Sequence, residues 1–509
     1  MQSVILHLDM NSYFASVLQQ DNSEYRGKVL GVCEHLGGII IAASVEAKRW
    51  GIKTGTPVWE AKRIYPKIIL KHTTADRFRF YTRRLIKLVS EYTDKVEVYS
   101  IDEVFLDITA SCNIKFPISP PDFATAKSLR AGNFPACNRL RLKQMAGRQF
   151  PNNFPISNFQ TQIRNIREFI QAGKYEWKAA DPWVEAVKIS LEIKKRMKRE
   201  VGDYMTCSIG IASNKTLAKI ASDLKKPDGL VVVTANEYQK TILFERSREL
   251  SEQNLASPRG RRLNFAIFAK NDLYNYLKLT DVPGIGHRQE KNLNALGIRT
   301  LWDLKNYPKS HLIARFGRVQ GHHLYSLGQL DATWKSGVHQ DEKIKSMGHM
   351  YTLPKEYREA KFFIPVLCKL CEMVGRRLRR KNLEGDVIHF FIRDKNYEGF
   401  GGSEKLGDYI SGGREIFMHA VRVFEKFKPK GAWEFKLIGV TVANLRPQSG
   451  QLSLFGHREK ASRVSAALDK INDKYGEFTI IHTPILAADR VFRDSVGFGR
   501  IKELKRLPR

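Results

Sequence analysis

The order of apolar and amphipathic segments predicts a multidomain α/β (α+β) chain organised round a ferredoxin-like sheet. Residues 3–9, SVILHLD, are a near-continuous apolar run that reads as a buried strand, and SYFASVLQQ after it has helical spacing. VEVYSIDEVFLDI, residues 96–108, reads as a strand hairpin. DPWVEAVKISLEIKKRMKREVG is an amphipathic helix, and YMTCSIGIAS is a strand. Strand, helix, hairpin, helix, strand is the β-α-β-β-α-β order of such a sheet. A chain of 509 residues exceeds one core and suggests about three or four domains.

Local chemistry supports each element in turn. Residues 28–33 and 38–43 are short apolar strands, and VEAKRWGI is a short helix stopped by Gly51. ADRFRFYTRRLIKLVSEYT is amphipathic at a helical period. Asp181 caps the next long helix, with Pro182 in its first turn. NKTLAKIASDLKK is another helix. Residues 110–180 are rich in Pro, Asn, Phe and basic side chains and interrupt the pattern. An ordered DNA-facing loop and a disordered decoration are both open readings of this insertion. Residues 246–270 read as a second, smaller insertion. GFGGSEKLGDYISGG reads as a flexible loop, because no strand-then-helix context supports a phosphate cradle. KASRVSAALDKINDKYG, beyond residue 456, is a plausible helix before a tail of no evident fold.

The formal charge is +32, from 85 Lys and Arg against 53 Asp and Glu. The excess runs along the whole chain, which points to a polyanionic partner, most simply nucleic acid. No apolar run approaches the ~20 residues of a membrane helix, and MQSVILHLDM is neither a signal peptide nor a transit sequence. The six cysteines are scattered, as suits a reduced cytoplasmic setting. Cys368 and Cys371 form a CxxC without a second pair; the spacing fits one packed helix.

Asp102 and Glu103 sit side by side in an apolar hairpin, where an unpaired buried anion is costly. A turn there would aim both at one point, and a ferredoxin-like sheet brings the end of the first strand, Asp9, beside it. Three converging carboxylates repel one another unless divalent cations neutralise them. All-oxygen ligation selects a hard ion, Mg²⁺ above all. Two such ions are the device of in-line phosphoryl transfer. Asp107, beyond the turn, reads as structural.

Lys226 ends a helix just before Pro227, within reach of a triphosphate at the carboxylates; Lys48 and Arg49 are available for the same anion. Residues 279–304 read as helix, Gly-Ile-Gly turn, helix. Gly284 and Gly286 would let backbone N–H groups approach a DNA phosphate. Arg376, Arg377, Arg379 and Arg380 at one helix end read as a phosphate-tracking surface. Gln451, Leu452, Leu454 and Phe455 form an apolar-ended pentapeptide, QLSLF, suited to a pocket on another protein.

HLDMNSYFASV, YSIDEVFLDIT, CSIGIASNKTLAKIASDLKKPDG and DVPGIG, in this order, resemble the Y-family translesion DNA polymerases, particularly the bacterial DNA polymerase IV branch. The likeness covers roughly residues 1–109, 182–245 and 273–445. It implies a right-hand fold. The palm would be 1–19 and 75–245 and the fingers 20–74. The helix-hairpin-helix thumb would be 246–338, the α+β little finger 339–445 and a tail 446–509. It implies error-prone extension of a primer on template DNA from dNTPs, without proofreading. It makes Asp9, Asp102 and Glu103 ligands of two Mg²⁺ ions, with Mn²⁺ a substitute and the Met10 carbonyl an added ligand. Phe14 becomes a steric gate against ribonucleotides, with Tyr13 beside it, and Lys226 the triphosphate lysine. QLSLF resembles the sliding-clamp motif, implying a β-clamp-type partner. A monomer is the default expectation. The family's Ser-Tyr-Glu-Ala-Arg is here Ser44-Val45-Glu46-Ala47-Lys48. A hydroxyl is lost and a guanidinium fork becomes a point charge. A silent DNA- and clamp-binding adaptor is the alternative, and all three acids stand against it. A two-metal nuclease leaves Phe14 and the helix-hairpin-helix unexplained.

Overall fold

The computed structural model describes residues 3–33, 38–72, 75–112, 181–235, 239–240, 243, 264–331, 344–353, 357–394, 396, 398–427, 434–448, 457–476 and 478–487. Strand β1 (Ile5–Met10) leads to helix α1 (Tyr13–Asp21). Strands β2 (Leu30–Cys33) and β3 (Ile40–Ala43), helices α2 (Val45–Arg49) and α3 (Val58–Ile64), and strand β4 (Ile69–His72) follow. Helix α4 (Ala75–Val89) precedes the hairpin of β5 (Val96–Val98) and β6 (Glu103–Asp107), then a short α5 (Thr109–Cys112). Next come α6 (Pro182–Arg196), β7 (Cys207–Ala212), α7 (Lys215–Leu224), β8 (Gly229–Thr234) and β9 (Asn264–Ala269). Five helices follow: α8 (Leu273–Tyr276), α9 (His287–Asn294), α10 (Leu301–Asn306), α11 (Lys309–Phe316) and α12 (Arg318–Gly328). The remainder is β10 (Ser346–Thr352), α13 (Phe363–Arg380), β11 (Leu383–Asp394), β12 (Gly399–Ile410), α14 (Gly413–Phe427), β13 (Phe435–Pro447), α15 (His457–Tyr475) and α16 (Thr483–Leu486).

The chain divides into two compact units. One holds Met1–Asn11 and Arg84–Val338. Its sheet has the order β5-β6-β1-β7-β8-β9. The first four strands are antiparallel neighbours in the ferredoxin-like order that the segment pattern predicts. β8 and β9 extend the sheet in parallel. β1, β7 and β8 are buried along their whole length, which explains their unbroken apolar sequences. α7 lies directly on β7. A Cβ at Gly210 would stand 2.1 Å from the Ala218 carbonyl oxygen, so only glycine permits this approach. Asn214 caps α7, accepting from the Leu217 N–H, and Asp181 caps α6, accepting from Trp183. Helices α8–α12 share one apolar core with the sheet, from Ile5 and Phe105 to Leu324 and Leu330.

Two expectations change here. Residues 246–270 do not read through as an insertion, because Asn264–Ala269 pairs along all of β8. The helix-hairpin-helix also begins differently. Leu279–Asp281 is a single 3₁₀ turn, since Pro283 stops any longer helix. Gly284, at φ +103°, turns the chain, and Gly286 opens α9.

The other unit holds Ser12–Arg83 and His339–Arg509. A three-stranded sheet, β3-β2-β4, closes a small core with α2 and α3 through Ile40, Ala47, Ile52, Val58 and Ala61. A four-stranded sheet, β10-β13-β11-β12, carries α13 and α14 against it. Phe363 packs on Phe424 at 4.2 Å and on Phe435 at 5.6 Å. The segment read as a flexible glycine loop is strand β12, in register with β11. Its glycines serve packing: a Cβ at Gly402 would meet the Phe427 ring at 2.2 Å. Cys368 and Cys371 lie within α13 and pack as a helix face. No described helix is long and apolar enough to cross a membrane. The readings of 113–180 and of Gln451, Leu452, Leu454 and Phe455 fall outside the described residues.

Candidate active site

The site is built where β1 and β6 run out together. Asp9 and Glu103 are direct Cα partners in that antiparallel pair. Met10 N–H donates to the Asp102 carbonyl at 2.9 Å, which ties the strand end to the hairpin turn. The turn is closed by the Tyr99 and Ser100 N–H groups, both donating to the Glu103 carbonyl. Asp9, Asp102 and Glu103, which are 93 or more residues apart between strand and hairpin, are thereby neighbours. Asp107 is the exception the sequence predicts: it accepts from the Thr109 N–H and pairs with Lys95.

Burial disfavours the anions. It is the largest cause that raises Asp9 to about 7, with Glu103 opposite adding to it and Lys226 working against it. Burial likewise raises Asp102, with Asp9 nearby, while the Ser100 hydroxyl opposes the shift. Two lysines answer this charge. Lys226 Nζ donates to Asp9 Oδ2 at 2.7 Å and pairs with Asp223 at 2.7 Å. Burial works against its ammonium, but these two carboxylates hold its pKa above the ordinary lysine value. Lys219 Nζ donates to Glu103 Oε1 at 2.7 Å. One turn earlier on α7, Lys215 pairs with Glu97. Among the described residues no three His, Cys, Asp or Glu side chains form a ready ligand cage. Asp9 and Glu103 are engaged by lysines instead. The donor set is nonetheless all oxygen and excessively anionic for its burial, which fits a hard divalent cation.

Sequence reasoning missed the strut behind Lys226. Lys194, on α6, is buried, and the three N–H groups of its Nζ are shared among four oxygens of the adjoining backbone and turn. They are the Cys207 carbonyl at 2.5 Å, the Asp228 carbonyl at 3.0 Å, Asp228 Oδ1 at 2.6 Å and the Gly229 carbonyl at 3.3 Å. The Asn11 amide, oriented with its oxygen toward this turn, accepts from the Asp228 N–H at 3.0 Å. Both hold the segment that carries Lys226. The only sequence signal is a lysine on the apolar face of an amphipathic helix. Lys219 likewise gives no local sign of its partner, Glu103, which lies 116 residues away.

The other predicted residues have surroundings of their own. In the second unit Phe14 is buried and meets Phe78 edge to face at 4.6 Å. Tyr13, expected beside the steric gate as a nucleotide contact, is anchored within this unit. It is 2% exposed, and its hydroxyl bonds the Phe78 carbonyl at 2.5 Å and Thr82 at 2.7 Å. Lys48 and Arg49 are exposed at the end of α2. Gly284 and Gly286 are exposed in the first unit. The arginine row, expected as a phosphate-tracking surface, is paired within the second unit. Arg376 pairs with Asp473 at 2.6 Å, Arg379 with Asp469 at 2.7 Å and Glu372 at 2.9 Å, and Arg380 with Asp473. Arg377 donates to the Gly348 carbonyl. Asp469 and Asp473, about ninety residues on in sequence, return to this row and tie α15 to α13.

Comparison with known proteins agrees with this architecture. The impB/mucB/samB family pattern matches residues 8–223, and that family's C-terminal domain matches 344–454. Residues 280–329 match the thumb domain of DNA polymerase-iota. The chain is 28% identical over 503 residues to a DNA polymerase IV of Pelotomaculum thermopropionicum, covering 98% of this chain and 99% of that protein. It is 28% identical to a DNA polymerase IV of Moorella thermoacetica, covering 94% and 95%. Among solved structures, a Y-family DNA polymerase chimera aligns with a TM-score of 0.56 at 21% identity, covering 87% of this chain and 98% of that one. The two impB/mucB/samB matches together take in more than half of the 509 residues, and the chain belongs to that family, as a Y-family DNA polymerase of the DNA polymerase IV kind.

Proposed function

We propose that this polymerase adds deoxynucleotides from dNTPs to a primer 3′ end on template DNA, error-prone and across damaged template, without proofreading. The observation that carries the chemistry is the meeting of Asp9, Asp102 and Glu103 at the paired ends of β1 and β6. Asp9, Asp102, Glu103 and the Met10 carbonyl would hold two Mg²⁺ ions, or Mn²⁺ in their place; when bound, these supply an activated 3′ oxygen and neutralise phosphate charge.

The chain's own groups do the rest. Lys226 leaves Asp9 for the dNTP triphosphate, so one ammonium first neutralises the carboxylate and then binds substrate. Lys219 stays on Glu103 and limits the negative charge there. Phe14 is the steric gate: its ring, backed by Phe78, leaves no room for a 2′-hydroxyl. Lys48 and Arg49 attract the triphosphate from α2. The N–H groups at Gly284 and Gly286 grip a DNA phosphate irrespective of sequence. Small residues in the 20–74 segment, among them Gly38, Ala42 and Ala43, put little bulk over the templating base, which lowers fidelity and admits lesions. Gln451, Leu452, Leu454 and Phe455 recruit a sliding clamp.

Primer extension with Mg²⁺ and separate dNTP and rNTP pools tests this, on undamaged template and on one with an abasic site. Extension with dNTP on both templates and little with rNTP is expected. Phe14→Val should admit ribonucleotides. Asp102→Ala/Glu103→Ala should extend nothing; activity equal to the parent would leave the adaptor reading in its place.

A further inference from the structure

The α2–α3 region exposes two tryptophans that its core does not use. Trp50 is 57% exposed and Trp59 64%. The apolar sides of the same helices are already filled by Ala47, Ile52, Val58 and Ala61. Trp50 rests its ring on Tyr65 at 5.2 Å, and the Arg63 guanidinium lies 5.5 Å from the Trp59 ring. Trp59 and Arg63 are one helical turn apart, so they share a face of α3. Residues 44–67 also carry an exposed cation set: Lys48, Arg49, Lys53, Lys62, Arg63 and Lys67. Only Glu46 and Glu60 oppose it, and Glu46 is engaged by Gln19.

Large exposed aromatic faces among cations suit one class of ligand. A protein interface is depleted in lysine, and this patch is rich in it. A DNA duplex offers phosphates, but its base faces are stacked on one another and closed to a tryptophan. An unpaired strand offers both phosphates and free base faces. We propose that Trp50 and Trp59, with the cations beside them, form a stacking platform for single-stranded DNA, namely an unpaired template strand. This rests on the reading of the chain as a template-directed polymerase.

The test uses the full chain without dNTP. Adding an oligo-dT strand should quench tryptophan fluorescence. Trp50→Ala/Trp59→Ala should bind the strand at least about tenfold more weakly, the effect of losing a stacked base. A blunt duplex should bind both proteins alike, and Trp50→Phe/Trp59→Phe, which keeps two rings, should bind dT much as the parent does. Unchanged dT affinity in the alanine variant overturns the platform. So does an equal loss for duplex and single strand, or a phenylalanine variant as weak as the alanine one. Primer extension by the parent separates the two readings. If the parent extends primers and the alanine variant binds dT normally, the platform alone fails. If the alanine variant loses dT binding but the parent extends no primer, the platform stands and the polymerase reading fails.

Discussion

Asp9 is held in a state that costs stability at neutral pH. Its folded pKa of about 7 exceeds the ordinary 3.8 chiefly through burial. Between those values the folded chain keeps a proton that the unfolded chain has released. This carboxyl's contribution to stability therefore falls as pH rises from about 4 to about 7. Asp9→Asn should raise the urea midpoint at pH 8, equivalent to on the order of 2 kcal/mol in unfolding free energy, while abolishing primer extension. An unchanged or lowered midpoint would mean that Lys226 already compensates the anion fully. Since a cation and a proton compete for Asp9, the Mg²⁺ concentration for half-maximal extension should fall as pH rises through about 7. Lys226→Met removes the ammonium that favours the anion, so that transition should move to higher pH. Lys194 presents a different case. Lys194→Met leaves three carbonyls and Asp228 without their shared donor and should cost about 3–5 kcal/mol in urea denaturation. Lys194→Arg, which cannot reproduce a compact four-acceptor contact, should rescue only part of it.

At the scale of elements, register did the assembly. The strand-forming residues of 96–108, interrupted by adjacent Asp102 and Glu103, were enough to identify a hairpin, and the apolar run 3–9 a buried strand. Their pairing placed Asp9 opposite Glu103. The glycine-rich strand β12 was illegible because glycine usually signals a loop. Its reason, the Phe427 ring lying over Gly402, comes from helix α14. β9 was missed because it pairs with β8 across a long intervening segment. The pairing of the arginine row was illegible for a related reason: Asp469 and Asp473 lie on α15. Arg379→Ala should therefore destabilise the α13–α15 contact, by about 2–4 kcal/mol by the measure of broken, largely buried pairs. Differential hydrogen exchange in 457–475 would show it. Unaltered protection there would mean that α15 is held by its apolar contacts alone.

For the whole molecule, a charge of +32 predicts DNA affinity that falls steeply with salt. A log–log slope of about −6 or steeper is expected if six or more phosphates are neutralised. Arg376→Ala/Arg380→Ala should leave that slope unchanged, because both side chains face Asp473. A slope reduced by about 1–2 would return these arginines to the DNA surface.

Composition and the order of motifs were sufficient for the polyanionic partner, the ferredoxin-like sheet and the three acids, because these depend on local periodicity and on strands that can pair in only a few ways. Tertiary structure alone decided which cations remain available. Lys219 and Glu103, Lys226 and Asp9, and Arg376 and Asp473 are each about a hundred or more residues apart. No local pattern distinguishes a charge facing solvent from one whose partner arrives from the far side of the fold.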